Sequence, residues 1–341
     1  MPILPIRNDP AVDSTRSPSP VHPCSSSVSR QLIAPLVHGS SSSPERAEKY
    51  RPPQAAPRLT TLEGGARGLH YKPAGCSTAA KGLVVLAPGG KGGMGPGVPA
   101  SSKHDFFSPG VPSIYSVLAR RMTEEGYAVM HFSWSRPSAW TASSARTPRR
   151  VRECADDVAA AAHALRVAHD YSATGKGGAP LPMVLVGFSG EACAAVLAAA
   201  TLSLGGSATR QIGPLAGVVC LAPSLRTNDP QMHYGGVDTV SCVDALSQAQ
   251  LPLMLMHGLL DMTNDPEASA LTYEASRGPK TAVFVNDADH NMLRRYDDVL
   301  SLLLGWVPGL LRRYDVVGAS GGQFGTGEID AEIGIGRVIT L

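Results

Sequence analysis

The sequence Leu181-Pro182-Met183-Val184-Leu185-Val186-Gly187-Phe188-Ser189-Gly190-Glu191-Ala192 places a single serine between two apolar segments. Its first half predicts a buried strand, and the alanine-rich residues that continue to Leu204 predict a helix. Ser189 stands at the junction, with Gly187 two positions before it and Gly190 directly after it. This layout is typical of a nucleophile elbow, a sharp strand-to-helix turn that exposes a serine hydroxyl above a sheet. Glu191 departs from the pattern Gly-x-Ser-x-Gly, whose last position is a glycine.

Two later segments repeat the arrangement of a buried strand followed by a chemically active side chain. Leu251–Asp261 predicts a buried strand ending in a turn that carries Asp261, and Thr281–Val285 predicts a strand that leads to His290. Ser189, Asp261 and His290 therefore occur in this order, each shortly after the end of a predicted strand. A Ser-Asp-His triad on an α/β-hydrolase sheet is laid out in this way.

On these motifs the chain resembles the α/β-hydrolase superfamily, and most of all its small dienelactone-hydrolase-like serine esterases. The resemblance covers roughly Leu59 to Tyr314. It implies a single catalytic domain, and the alternation of predicted strands and helices favours the same fold class. That class is α/β, with a mostly parallel central sheet covered by helices on both faces.

The resemblance also implies a function, which is hydrolysis of a carboxylic ester or thioester through an acyl-enzyme. Ser189 would be the nucleophile, His290 the general base, and Asp261 the acid that orients the imidazole. The backbone N–H groups of Gly190 and Gly90 would form the oxyanion hole, with Lys91 as the alternative to Gly90. The expected partner is a small-molecule acyl substrate, and no cofactor or metal is expected.

Several alternatives compete with these roles. His257 is a rival base, but it precedes Asp261 by a short turn, which favours a structural role there. Asp287 and Asp289 adjoin His290 and compete with Asp261 as the acid, which topology favours. A further alternative keeps the fold and drops the catalysis, leaving a silent binding or scaffold protein.

Gly90–Gly95 matches the dinucleotide-binding fingerprint Gly-x-Gly-x-x-Gly, but the residues around it do not support a nucleotide-binding role. A helix should begin within that motif, yet Pro96 and Pro99 follow it, and no strand-end acid occurs about 20 residues further on. A phosphate-binding loop is excluded because Val85 stands where its first glycine belongs. The spacing His-Glu-x-x-His of a zinc site is also missing.

The ends of the chain differ in composition from its middle. Residues 1–56 are rich in Ser and Pro and are predicted to be disordered, residues 57–316 form the hydrolase domain, and residues 317–341 form a Gly-rich C-terminal tail. Within the domain, residues 224–250 predict an irregular excursion suited to a small lid over the site.

Composition limits the remaining possibilities. A net charge of +2 argues against a nucleic-acid binder. Six cysteines without a Cys-x-x-Cys pair favour a reduced compartment. We expect no transmembrane segment and no secretory signal, hence a cytoplasmic protein, with organellar targeting by the N-terminal segment as the alternative. The sequence gives no indication of the oligomeric state.

Overall fold

A nine-stranded sheet runs through the middle of this computed structural model. The structure describes residues 57–73, 80–89, 113–135, 148–169, 180–203, 213–224, 239–319 and 327–341. The strands in chain order are β1 (Arg58–Thr61), β2 (Arg67–Tyr71), β3 (Leu83–Ala87), β4 (Ala128–Ser133), β5 (Met183–Phe188), β6 (Leu215–Leu221), β7 (Leu253–Gly258), β8 (Lys280–Val285) and β9 (Val338–Thr340).

Their order across the sheet is β1-β2-β4-β3-β5-β6-β7-β8-β9. β2 pairs antiparallel with β1 and with β4, and every other pairing is parallel. The carboxyl ends of β3 and of β5 to β8 consequently meet at one edge. Residues that follow these strands are brought together there, however far apart they lie in the sequence.

Helices cover both faces of this sheet. Those described are α1 (Ile114–Glu124), α2 (Pro148–His169), α3 (Ala192–Ser203), α4 (Thr239–Gln248), α5 (Glu267–Ala275), α6 (Tyr296–Ala319) and α7 (Gly327–Glu332). Side chains of α2, α3 and α4 belong to the core on one face, and those of α1 and α6 to the core on the other.

The central strands β3, β5 and β6 are apolar along their whole length because helices bury both of their faces. In β3, Leu83, Val85 and Ala87 point into the first core, while Val84 and Leu86 point into the second. The predicted fold class, an α/β fold with a mostly parallel sheet between two helical layers, is confirmed.

The irregular excursion that we predicted for residues 224–250 is wrong for its second half. Residues 239–248 form α4, whose side chains Cys242, Val243 and Leu246 are buried in the first core. Residues 225–238 lie outside the described part of the chain. Apolar positions three and four apart place these side chains on one face of a helix, and burial of that face against α3 stabilises it.

The C-terminal stretch, set apart above as a Gly-rich tail, extends the domain where it is described. α6 continues to Ala319, α7 packs against it, and β9 pairs in parallel with β8. The described residues after 326 are therefore attached to the sheet. The N-terminal segment 1–56 lies outside the described residues. No helix within the described ranges is both long and apolar enough to cross a bilayer.

Candidate active site

Ser189 occupies a strained turn between β5 and α3. It begins a 3₁₀ turn, Ser189–Glu191, and its φ of 62° lies in the left-handed region that side chains other than glycine rarely adopt. Such a conformation costs of order 1–3 kcal/mol and is characteristic of functional sites. A Cβ at Gly187 would lie 2.7 Å from Cα of Ala192, so strand and helix approach too closely there for a larger residue. This is the geometry of a nucleophile elbow.

Glu191 is accommodated at the position where the usual pattern has its last glycine. Its side chain is buried, with 2% of its surface exposed. The turn therefore places a carboxyl group inside the protein two positions beyond the serine.

The residues that follow β7 and β8 meet Ser189 at the edge of the sheet. Ser189 Oγ lies 2.9 Å from Nε2 of His290, and Nδ1 of His290 lies 2.7 Å from Oδ2 of Asp261. The side chain of Asp261 is fully buried, whereas 15% of the His290 side chain is exposed. The structure thus brings together the three residues that we predicted from strand ends. The chain has the α/β-hydrolase fold.

Three of the solved structures with a backbone similar to this chain are as follows. An α/β serine hydrolase without a lid, from Xanthomonas campestris, is 18% identical, covers 78% of this chain and 98% of its own, and has a TM-score of 0.49. Est1E from Butyrivibrio proteoclasticus is 13% identical, with 76% and 100% covered and a TM-score of 0.47. A dienelactone hydrolase from Anabaena variabilis is 17% identical, with 74% and 95% covered and a TM-score of 0.45.

No family model matches the chain, and no curated protein sequence matches it. The function of this chain is therefore inferred from the side chains at the end of its sheet.

The carboxylate of Asp261 accepts a hydrogen bond at every lone-pair position. Oδ1 accepts the backbone N–H groups of Thr263 and Asn264, each at 2.8 Å, and Oδ2 accepts from His290 at 2.7 Å and from His257 at 3.1 Å. Burial alone would raise the pKa of Asp261. The hydrogen bonds from His257, His290 and the Asn264 N–H outweigh burial and hold that pKa well below its ordinary value. Asp261 is therefore ionised at neutral pH.

The turn after β7 and the loop after β8 are fixed to each other. The N–H of Leu260 donates to the carbonyl of Ala288 at 2.9 Å, and the N–H of Leu259 donates to that of Val285 at 2.9 Å. A Cβ at Gly258 would lie 2.3 Å from the Ala288 carbonyl oxygen, so only glycine lets the two segments approach this closely. The distance between Asp261 and His290 is consequently set by backbone contacts as well as by their own hydrogen bond.

The competing acids occupy other positions in the same loop. Asp289 accepts a hydrogen bond from the N–H of Leu293 at 3.3 Å, which is a turn-forming role. Asp287 is exposed and has a left-handed φ of 58°. Nδ1 of His290 faces Asp261 instead.

The sequence did not predict that Phe188 packs against His290. The rings of Phe188 and His290 stack, with centroids 5.2 Å apart and planes inclined by 30°. Phe188 also packs against Gly89, where a Cβ would lie 2.8 Å from Cδ1 of the ring. Trp134 donates from Nε1 to the Gly89 carbonyl at 3.3 Å, which holds the start of the loop after β3. In the sequence Phe188 has the pattern of any buried aromatic residue.

Of the two predicted oxyanion donors, Gly190 lies within the described residues and Gly90 does not. Gly190 is the second residue of the 3₁₀ turn and directly follows Ser189. Gly90, its alternative Lys91 and the rest of the Gly90–Gly95 motif lie outside the described residues. Within the described ranges, no group of three or more His, Cys, Asp or Glu side chains is arranged to hold a metal ion.

Proposed function

We propose that this protein is a serine hydrolase that cleaves a carboxylic ester or thioester of a small molecule through an acyl-enzyme. One observation carries the proposal. Ser189 Oγ lies 2.9 Å from His290 Nε2, while Nδ1 of the same ring is held by Asp261. A serine hydroxyl is a weak nucleophile at neutral pH, and an adjacent base is what makes it reactive.

The hydrogen bond to Asp261 fixes the tautomer of His290. Because the ionised carboxylate can only accept, Nδ1 carries the proton and Nε2 presents its lone pair to the Ser189 hydroxyl. Nε2 takes the hydroxyl proton while Oγ bonds to the substrate carbonyl carbon, and the carbonyl electron pair moves to oxygen. Asp261 stabilises the imidazolium that results.

Collapse of this tetrahedral intermediate expels the alcohol or thiol, which receives the proton from Nε2. Water then attacks the acyl-enzyme with His290 again as base, and the carboxylic acid leaves as the Ser189 hydroxyl is restored. We assign the N–H of Gly190 as one donor to the developing oxyanion and the N–H of Gly90 as the second.

Cytoplasmic location is part of the proposal and is supported by the chemistry of the cysteines. Cys154, Cys193, Cys220 and Cys242 are buried as thiols, and burial raises the pKa of the Cys220 thiol. Thiols of this kind are stable in a reduced compartment.

Labelling with a fluorophosphonate tests the proposal, since this reagent phosphonylates only an activated serine. The native protein should be labelled at Ser189, and Ser189→Ala should abolish labelling. Ser133→Ala is the matched control, because Ser133 ends β4 and its hydroxyl donates to the Arg67 carbonyl. It should label like the native protein. A folded native protein that the reagent leaves unlabelled would favour the silent binding role, consistent with the departure at Glu191.

A further inference from the structure

Oδ2 of Asp261 is shared between two imidazoles. On one side it accepts from His290 Nδ1 at 2.7 Å, and on the other it lies 3.1 Å from Nε2 of His257. His257 is the next-to-last residue of β7 and is fully buried, with 0% of its surface exposed. It cannot reach a substrate, so any role it has is exerted through Asp261.

The contacts of His257 determine which of its nitrogens carries a proton. Nε2 lies within hydrogen-bonding distance of Asp261 Oδ2 and, at 3.0 Å, of the Asn264 carbonyl oxygen. Both of these atoms only accept, so Nε2 must be the donor. Nδ1 of the neutral ring then accepts, and the Ser269 hydroxyl at 2.7 Å is positioned to donate to it. Ser269 lies on α5 and is buried as well.

A continuous chain of hydrogen bonds results from Ser269 through His257, Asp261 and His290 to Ser189. We propose that His257 is a positioning residue that holds Oδ2 of Asp261 toward His290, and that the hydrogen bond from Ser269 keeps the His257 ring oriented so that its Nε2–H points at Oδ2. The consequence for catalysis rests on the proposed function. The hydrogen-bond chain itself does not.

The geometry explains why a second donor is needed. The N–H groups of Thr263 and Asn264 fix Oδ1, so without His257 only His290 would hold Oδ2. The Nε2–H of His257 gives that oxygen a second donor, one that belongs to the buried interior and takes no part in the reaction. Two anchored oxygens define the plane of a carboxylate, and a hydrogen bond to an ionised acceptor is among the stronger ones in proteins.

Sharing Oδ2 also limits how strongly Asp261 attracts a proton to His290. Among the described residues, the titratable groups acting on Asp261 are His257 and His290. Without the Nε2–H of His257, the carboxylate charge acts on His290 alone, and the imidazolium is favoured. The pH at which His290 takes up a proton should then rise. A role in packing alone would leave that pH where it is.

His257→Leu and His257→Gln form the decisive pair of variants. Leucine has a similar size and removes the donor, whereas glutamine keeps an amide N–H that can reach Oδ2. The His290 ring is followed by NMR in ¹⁵N-histidine-labelled full-length protein across pH, with its signals assigned by comparison with His290→Ala. We expect the pH midpoint of the His290 signals to rise in His257→Leu and to stay near the native value in His257→Gln.

Turnover of an ester, divided by the number of sites that the fluorophosphonate labels, gives the second measurement. It should fall by about tenfold to a hundredfold in His257→Leu, as expected for loss of a hydrogen bond to a charged group. Unchanged His290 midpoint and unchanged turnover per labelled site in His257→Leu would overturn the positioning role, even if that variant melts earlier.

Ser269→Ala keeps the test decisive if His257→Leu does not fold. It leaves His257 in place and removes the hydrogen bond that orients its ring, so it should shift both measurements in the same direction by a smaller amount. Thr272→Val is the matched control, because Thr272 is buried one turn further along α5 and its hydroxyl donates to the Ala268 carbonyl. It should change neither. If the native protein is not labelled at all, the proposed function fails, while the NMR midpoints still decide whether His257 acts on Asp261 and His290.

Discussion

Asp261→Asn replaces the carboxylate by an amide of the same size at the point where four donors converge. An amide has one accepting oxygen, so it cannot satisfy the backbone N–H pair of Thr263 and Asn264 together with His290 and His257. If its NH₂ group faced the backbone pair, two buried N–H donors would lose their acceptor, at about 1–3 kcal/mol each. The amide therefore turns its oxygen to the backbone and its NH₂ group to the imidazoles.

That orientation inverts the tautomer of His290. The NH₂ group donates to Nδ1, which moves the ring proton to Nε2 and points it at the Ser189 hydroxyl. Nε2 can then no longer accept the serine proton. In triads of this type the loss is about 10⁴-fold in turnover, which corresponds to about 5.5 kcal/mol of transition-state stabilisation. The thermal midpoint should change far less than the activity.

The assay compares kcat/KM for a p-nitrophenyl ester, and the rate of fluorophosphonate labelling, in Asp261→Asn and Asp289→Asn. Asparagine at position 289 keeps the oxygen that accepts from the Leu293 N–H. Its cost should stay below about tenfold, or roughly 1.4 kcal/mol. If Asp261→Asn kept more than a tenth of the native activity, or if Asp289→Asn cost as much, the assignment of Asp261 would be refuted.

Three further outcomes are expected. A chain that begins at Ala56 should keep its thermal midpoint and specific activity, because the Ser/Pro-rich composition of residues 1–55 predicts that they are disordered; a drop of many degrees would contradict this. Gly187→Ala should destabilise the fold by about 1–3 kcal/mol, because the added Cβ would clash with Ala192 at the turn. Gly305→Ala has open space for its Cβ within α6 and should stabilise the fold by up to about 1 kcal/mol, because alanine favours the helix; calorimetry measures both changes. Burial next to His169 lowers the pKa of His70 to about 4. As pH falls below about 6.5, this histidine therefore takes up a proton in the unfolded chain before it does so in the folded one. The free energy of unfolding should consequently decline between pH 6.5 and 4, by at most about 3 kcal/mol. His70→Gln should flatten that decline in thermal midpoints measured against pH, and an unaltered slope would assign the decline to other groups.

The proximity of Ser189, Asp261 and His290 was predictable, because parallel strands place the residues that follow them at the same edge of the sheet. Ser189, Asp261 and His290 each come just after a run of apolar residues, and the carboxyl ends of β5, β7 and β8 lie at one edge of the sheet. The side chains that support them were not predictable. Phe188 stacks on a ring that lies about a hundred positions later in the chain, and nothing in an apolar strand distinguishes an aromatic residue that packs on a histidine.

The two segments that sequence reasoning described differently owe their structure to tertiary contacts. β9 is a strand of three residues with exposed and half-buried positions, so its alternation is weak, and it is stabilised by pairing with β8. α4 carries Ser and Asp between its buried positions, and this mixed pattern is typical of a loop. The helix is stabilised because α3 covers its apolar face. Local propensity is a weak predictor wherever a neighbouring element provides the stabilisation.

The hydrogen-bond chain through Asp261 has nearly the same chemistry at both ends. Each end is a serine hydrogen-bonded to a histidine, Ser189 to His290 and Ser269 to His257. What separates the two ends is solvent access and backbone strain. Ser269 lies within the regular helix α5 beside a fully buried ring, while Ser189 has a left-handed φ of 62° beside a ring that is 15% exposed. In the proposed mechanism a substrate approaches the strained end, because that is the end with an exposed ring. His257 and Ser269 at the buried end would then act only as fixed hydrogen-bond partners, and the rigidity they give to Asp261 would serve the reaction at Ser189.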